Sequence, residues 1–275
     1  MRLLVIILAF RDPPLNPLLS LVGQELPRDT SIDIIALVAY PSACKIPQYI
    51  KTKVKCLVVK PPSKLQSVGE RVGFSITVLL KYLEKIDKLK DYDYMLKLDD
   101  DVVLPKDFIK KNLKYKYIIM GYGPAMIINM RYYTRIFNAA WPISVADDVI
   151  VEYTLDSIWK SRSKVWEYIQ EPIILRPIRP SVKRSFKAGY EFYRMGFTTP
   201  YMLLYLMKHV LKTARLRINL RLKIGILCRF IVQLLGYISA LLTSTDKYKF
   251  SRVISLEQKY RIKRGFAKML TRLLK

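Results

Sequence analysis

Short apolar runs that alternate with helix-length segments most limit what this chain can fold into. Leu3 to Phe10 is unbroken in apolar residues; Ser31 to Ala39, Val54 to Val59 and Tyr92 to Leu98 are mostly apolar, broken by Ser31 and Asp33, by Lys55, and by Asp93 and Lys97. Runs of that length, apolar at most positions rather than at every second residue, read as strands buried on both faces. Between them, Leu15 to Gln24 starts as a helix, and Gly69 to Ile86 sets Val72, Ile76, Leu79, Leu80 and Leu83 at helical spacing. Tyr117 to Met120 and Ala125 to Met130 are further strand candidates, and Asp107 to Leu113 is a short helix. Strands alternating with helices predict an α/β domain built on an open, mostly parallel sheet flanked by helices. The first run invites a signal-peptide reading, but it is short, and Arg11-Asp12-Pro13-Pro14 is no small-residue cleavage site. It reads instead as a first strand closed by a Pro-rich turn.

The fourth run ends in Asp99-Asp100-Asp101, followed by Val102-Val103-Leu104-Pro105. Three adjacent carboxylates repel one another, and a cation would collect them. On a strand, residues two apart point to the same side, so Asp99 and Asp101 are expected to converge while Asp100 turns away. Carboxylate oxygens suit Mg²⁺ or Mn²⁺, which in turn hold phosphate oxygens. The plain alternative is a solvated acidic turn before the helix near Pro105. Ligands of open parallel sheets sit at the carboxyl ends of strands, where this cluster falls. Ala146-Asp147-Asp148 opens a helix running through Trp159. An N-cap accounts for one of the two acids; the other is available as a general base.

Several phosphate and metal chemistries lack their residues. There is no GxGxxG or GxxxxGKS loop, and Gly121-Tyr122-Gly123 is too little for one. A single His, His209, makes a zinc cluster a poor reading and leaves little room for His acid–base chemistry. Cys44, Cys56 and Cys228 are widely spaced without a CxxC, so no disulfide framework is expected, in keeping with a reducing compartment.

Charge divides the chain. Residues 176–275 hold 23 Lys and Arg against Glu191, Asp246 and Glu257, a net +20 of the whole chain's +26. Such a basic region implies a polyanionic partner, an anionic membrane surface or nucleic acid. Its basic residues are interleaved with long Leu and Ile runs rather than with exposed aromatics, which favours the membrane surface over nucleic acid. Ile224 to Thr243 carries one charge, Arg229, over 20 residues. That is enough to span roughly 30 Å of hydrocarbon, but both flanks are basic, so helices lying in the interface are the expectation. Lys259 to Lys275 is a basic amphipathic helix of the same kind. Residues 1–180 therefore form the expected catalytic domain, and 181–275 a helical, basic, membrane-associating region.

With both acidic sites placed, residues 1–180 resemble the inverting family 2 glycosyltransferases of GT-A fold. Ser20-Leu21-Val22-Gly23-Gln24 is similar to that family's Ser-Leu-x-x-Gln helix end. Leu98 to Val102 with Leu104-Pro105 and Phe108 is similar to its Asp-x-Asp segment, and Ala146-Asp147-Asp148 stands where it has Glu-Asp. The resemblance implies a divalent metal, Mn²⁺ or Mg²⁺, on Asp99 and Asp101, bridging the diphosphate of a nucleotide-sugar donor, with Asp148 as base and Asp147 supporting it. It implies Phe10, Asp12 and Asp100 at the nucleotide. Arginine forks suit phosphate, so Arg176 and Arg179 are candidates for the leaving diphosphate or an acceptor phosphate; a solvated linker is the plain alternative for that pair. The family's base-reading Asp after the second strand is missing from Ala36 to Tyr40, leaving Asp12 or Asp33 to take its place. The processive Gln-x-x-Arg-Trp signature is also missing, which points to transfer of a single sugar. The expected acceptor is membrane-attached, a polyprenyl phosphate or a glycolipid, with the catalytic domain cytoplasmic. Rival readings are a basic nucleic-acid-binding protein with a structural acidic cluster, and a nucleotidyltransferase on the same fold.

Overall fold

The computed structural model describes residues 1–9, 13–51, 53–65, 67–114, 117–144, 146–159, 170–175, 181–215, 220–248 and 250–273. The chain forms two compact units, Met1–Pro177 and Ile178–Lys275. In the first, strands β1 (Arg2–Ala9), β2 (Ser31–Val38), β3 (Val54–Val58), β4 (Tyr94–Asp99), β6 (Ile119–Tyr122) and β7 (Ala125–Asn129) make one six-stranded sheet. Its order is β3-β2-β1-β4-β7-β6. The β1–β2, β1–β4 and β2–β3 pairings are parallel, while β7 runs antiparallel to β4 and to β6. A two-residue β5 (Val102–Val103) pairs with β8 (Ile173–Ile174) apart from the sheet. The helices are α1 (Leu15–Val22), α2 (Gln48–Lys51), α3 (Val68–Lys85), α4 (Phe108–Asn112), α5 (Met130–Phe137) and α6 (Asp147–Trp159). This is an open, mostly parallel α/β sheet flanked by helices, as the alternation of strands and helices in the sequence predicts.

The central strand β1 explains why the runs had to be apolar. Leu3, Val5 and Ile7 enter one core with Leu18 and Phe108, while Leu4, Ile6 and Leu8 enter the other with Ile76, Leu79, Leu80, Val151 and Leu155. Both faces are covered from Leu3 to Ala9, so only Arg2, at the open start of the strand, is polar. Helix α3 begins at a capping box, in which Ser67 accepts from Glu70 N–H and Glu70 accepts from Ser67 N–H. It passes so close to the loop before α6 that a Cβ on Gly73 would lie 2.1 Å from Pro142 O. There Trp141 N donates to Thr77 Oγ1 at 2.8 Å, which fixes the loop leading to Asp147 and Asp148.

Two expectations are corrected here. Asp101 is not on a strand: β4 stops at Asp99, and Asp100 and Asp101 form the turn into β5. The strand stops two residues short of Asp101, so strand alternation does not apply to the pair. Cys44 and Cys56 are joined in a disulfide, their Cα atoms 5.9 Å apart. The short 3₁₀ turn Pro41–Cys44 folds back after β2 onto β3, the strand that pairs with it, and brings the two sulfurs together. Disulfides persist in oxidising compartments, so cysteine usage does not support a reducing one.

The second unit holds α7 (Val182–Arg194), α8 (Thr199–Arg215), α9 (Leu220–Leu242) and α10 (Ser251–Leu273). Helices α7 and α9 meet backbone to backbone, because a Cβ on Gly189 would lie 1.8 Å from Gln233 O and one on Gly236 2.0 Å from Phe186 O. Tyr237 Oη donates to Phe197 O at 2.7 Å, and Tyr248 Oη donates to Glu191 at 2.6 Å.

Candidate active site

Strand order reverses between β1 and β4: the chain builds β1, β2 and β3 outward to one side, then returns to place β4 on the other. Ligands of open α/β sheets bind beyond the carboxyl ends of the strands at such a reversal. Asp99 ends β4 there, opposite Leu8 of β1.

Lys97 organises the site, and the sequence reading missed it. Two residues before Asp99, it shares a face of β4 with it. Its side chain is 4% exposed, and Nζ meets Asp99 Oδ1 at 2.9 Å and donates to Gly123 O at 2.8 Å. Burial pulls the Lys97 ammonium down, but Asp99, Asp147 and Asp148 together more than offset this, so its pKa stands above the ordinary value. Burial pushes the Asp99 carboxyl up; Lys97 pulls it back, and Asp148 and Asp101 add to the rise. A lone Lys two positions from an Asp at a strand end was a readable signal.

Gly123 belongs to the β6–β7 hairpin turn, with φ +52°, a left-handed conformation that favours glycine. A Cβ here would lie 3.3 Å from Asp148 Oδ2, so the turn and the start of α6 abut. The hairpin is joined to β4 by the bond from Asp99 N to Pro124 O at 2.9 Å. Gly121-Tyr122-Gly123 thus forms the end of β6 and the turn that walls the site beside Lys97 and Asp148.

The two acids of α6 stand in different surroundings. Asp147 is buried, and its Oδ2 accepts from Trp141 Nε1 at 2.7 Å. Burial first, and then the charge of Asp148, push its carboxyl up to about 7. Asp148 is only half-buried, and its Oδ1 accepts from Val149 N–H at 2.9 Å. Both lie in the first turn, where the helix dipole favours negative charge. One and two turns further along α6, Glu152 and Asp156 are buried as well. Burial, with Asp148 and Asp156 adding, holds the Glu152 carboxyl well above its ordinary value, and its Oε1 has no hydrogen-bond partner.

The structure thus brings together Asp99, Asp147 and Asp148 around Lys97, with Asp101 in the adjoining turn and close enough to act on Asp99. Phe10, Asp12, Arg176 and Arg179 lie outside the described residues. Leu175, just before Arg176, donates its N–H to Asp101 O at 2.8 Å. Asp33 is not at the site. It sits at the opposite end of β2, opposite Leu4 rather than Leu8, bound by Arg2 at 2.8 Å and Tyr92 at 2.9 Å. A hollow of about 1420 Å³ opens at that opposite edge, lined by Arg28, Tyr94, Asn129 and Arg131 among others. None of the site carboxylates lines it, and by the rule for parallel sheets it is the wrong end for the chemistry.

Among the described residues, no three His, Cys, Asp or Glu side chains are arranged to enclose a metal ion. Mg²⁺ is commonly held by only one or two carboxylates, with water and substrate phosphates completing its shell. Asp99 and Asp101 fit that open kind of site by donor chemistry: hard oxygens, with a surplus of negative charge over the single Lys97.

The chain matches no protein-family model, and no curated protein matches it. Among solved structures, the crystal structure of S. aureus TarS is similar at 12% identity and a TM-score of 0.49, over 84% of this chain and 43% of that one. This chain therefore spans less than half the length of that protein, and a likeness of this degree carries no argument here. In the second unit, Ile224–Leu242 is long and apolar enough to cross a membrane by length and composition only.

Proposed function

We propose that the protein is a glycosyltransferase, moving a single sugar from a nucleotide-diphosphate donor to a membrane-attached acceptor with inversion at the anomeric carbon. The observation that carries this reading is the gathering of Asp99, Asp147 and Asp148 around buried Lys97 at the carboxyl end of β4, beside the reversal of strand order. Asp148 is the carboxylate of the α6 pair that reaches solvent, so it takes the proton from the acceptor hydroxyl. That oxygen then bonds to the anomeric carbon as the bond to the diphosphate oxygen breaks on the opposite face. Asp147, held by Trp141, keeps the start of α6 in place behind it. Lys97 keeps Asp99 in position and limits the repulsion within the group. Asp99 and Asp101 would hold a divalent cation, Mn²⁺ or Mg²⁺, which supplies Lewis-acid neutralisation of the leaving diphosphate. Arg176 and Arg179, whose guanidinium forks suit phosphate, are assigned to the diphosphate. Asp100, in the same turn, with Phe10 and Asp12, is assigned to the nucleotide.

Isothermal titration of the detergent-solubilised protein with a panel of nucleoside diphosphates and triphosphates, with Mn²⁺ and then with EDTA, tests this reading. Metal-dependent binding of one nucleotide, lost in Asp99→Asn/Asp101→Asn and kept in Asp148→Asn, is the expected result. Absence of binding by folded wild-type protein under both conditions overturns it. Binding of a nucleoside triphosphate in preference to every diphosphate moves the reading to nucleotidyl transfer.

A further inference from the structure

Helix α9 has two unlike faces. Gln233, Gly236, Tyr237 and Ala240 turn one way; the glycine packs on α7, and Tyr237 and Ala240 are buried. Ile224, Ile231, Leu235, Ile238 and Leu242 are spaced by seven, four, three and four, so they form one stripe on the opposite face. Each is between 38% and 78% exposed. The stripe covers 18 residue steps, roughly 27 Å at the rise of an α-helix. A continuous apolar stripe of that length marks a surface that something else covers.

Charge identifies the occupant. The stretch 176–275 carries a net +20, and among the described residues Lys183, Arg184, Lys187 and Arg194 of α7, Arg229 of α9 and Arg252 and Lys259 of α10 stand on helices that also carry apolar residues. An apolar face on a strongly cationic unit complements an anionic lipid bilayer, which supplies both hydrocarbon and negative headgroups.

The packing of α7 decides how α9 meets that bilayer. Gln233 is the midpoint of Ile224–Leu242, and Gly189 of α7 touches it there, while Phe186 touches Gly236, so the two helices run antiparallel. If α9 crossed the bilayer, α7 would lie beside its middle. Lys187 would then stand two residues from the midplane level, and Lys183, Arg184 and Arg194 within six, or about 9 Å at the α-helical rise. All four cations would sit in hydrocarbon whose half-thickness is about 15 Å. Each charge at such depth disfavours insertion roughly a hundredfold. The two glycines make separating α7 from α9 costly, since that contact is backbone against backbone.

We infer that the second unit docks on the surface of an anionic bilayer through the Ile224–Leu242 stripe of α9, which lies in the interface and does not cross it. This does not depend on the transfer reaction, because docking is read without turnover.

Depth measurement by nitroxide labelling tests it. Cys228 is exposed, falls on the stripe, and is the free cysteine, since Cys44 and Cys56 are paired. The full-length protein labelled at Cys228, and Cys228→Ser proteins carrying Ile224→Cys, Ile231→Cys, Ile238→Cys or Leu242→Cys, are bound to vesicles of phosphatidylcholine with a minority of phosphatidylglycerol. All of these side chains are exposed, so the labels do not enter the core. The expected result is one shallow depth shared by all five labels. A further expectation is that Ile231→Asp and Leu235→Asp each weaken vesicle binding about tenfold or more, from the apolar burial lost. Pure phosphatidylcholine should bind more weakly, by about fivefold for each cation engaged. A label at 231 far deeper than those at 224 and 242 means a crossing helix and overturns the inference. So do labels that stay aqueous, or that show label–label broadening without vesicles, which would mean a second copy covers the stripe.

Discussion

Replacing Asp147 with Asn should make unfolding of the first unit far less sensitive to pH. The Asp147 carboxyl is held near 7, against an ordinary value of 3.8, chiefly by burial. Between about pH 4 and pH 7 the folded protein therefore keeps a proton that the unfolded chain has released. More protons bound in the folded state means that stability falls as pH rises through this window. Three units at about 1.4 kcal/mol each amount to roughly 4 kcal/mol lost between the two ends. Asn keeps an oxygen for Trp141 Nε1, bonded at 2.7 Å in the wild type, but has no proton to release. Urea unfolding followed by Trp fluorescence is the assay. Trp141, Trp159 and Trp166 all precede residue 177, so the signal reports the first unit alone. The advantage of Asp147→Asn over wild type should grow steadily from about pH 4 to pH 7 and level off above that. Glu152 and Asp99 are raised in both proteins and largely drop out of the difference. A difference that stays constant with pH would refute the reasoning, and one that shrinks as pH rises would mean that Asp147 is a stabilising anion.

Two further outcomes follow from the same packing. Lys97→Met should cost about 3 kcal/mol, the low end for a broken buried pair, because the Asp99 side chain is still 34% exposed and partly screened; adding Asp99→Asn should recover part of it in a double-mutant cycle read by urea midpoints. Reduction of Cys44–Cys56, which closes a 12-residue separation, should lower the first unit's stability by roughly 3 kcal/mol; an unchanged midpoint with and without reductant would count against the pairing.

The strands β1, β2 and β4 and the helix α3 could be read from local order, because a strand buried on both faces is apolar at most positions, with Asp33 and Lys97 as ion-paired exceptions, and a flanking helix at every third or fourth. The end of β4 and the start of α6 were readable for the same reason, and so was the surplus of carboxylates at both. The basic, apolar character of residues 181–275 is a matter of composition alone.

What sequence spacing could not supply is which distant groups meet. Asp33 is taken up by Arg2 and Tyr92, 31 and 59 residues away, which removes it from the site it was a candidate for. Asp147 becomes the buried acid and Asp148 the half-exposed one only because Trp141 and the Thr77 contact fix the loop before α6. Asp101 lies in the turn that follows β4 and not on the strand, so its relation to Asp99 is set by that turn rather than by strand alternation. Cys44 finds Cys56 through the pairing of β2 with β3. In the second unit, the composition of α9 allows a crossing helix, while two glycines seat the cationic helix α7 at its midpoint, which is the basis for the inferred interfacial placement. The apolar pattern that builds a sheet is local and periodic, so one chain carries it in full. Charge pairing, desolvation and backbone contact depend on neighbours that only the folded arrangement brings together.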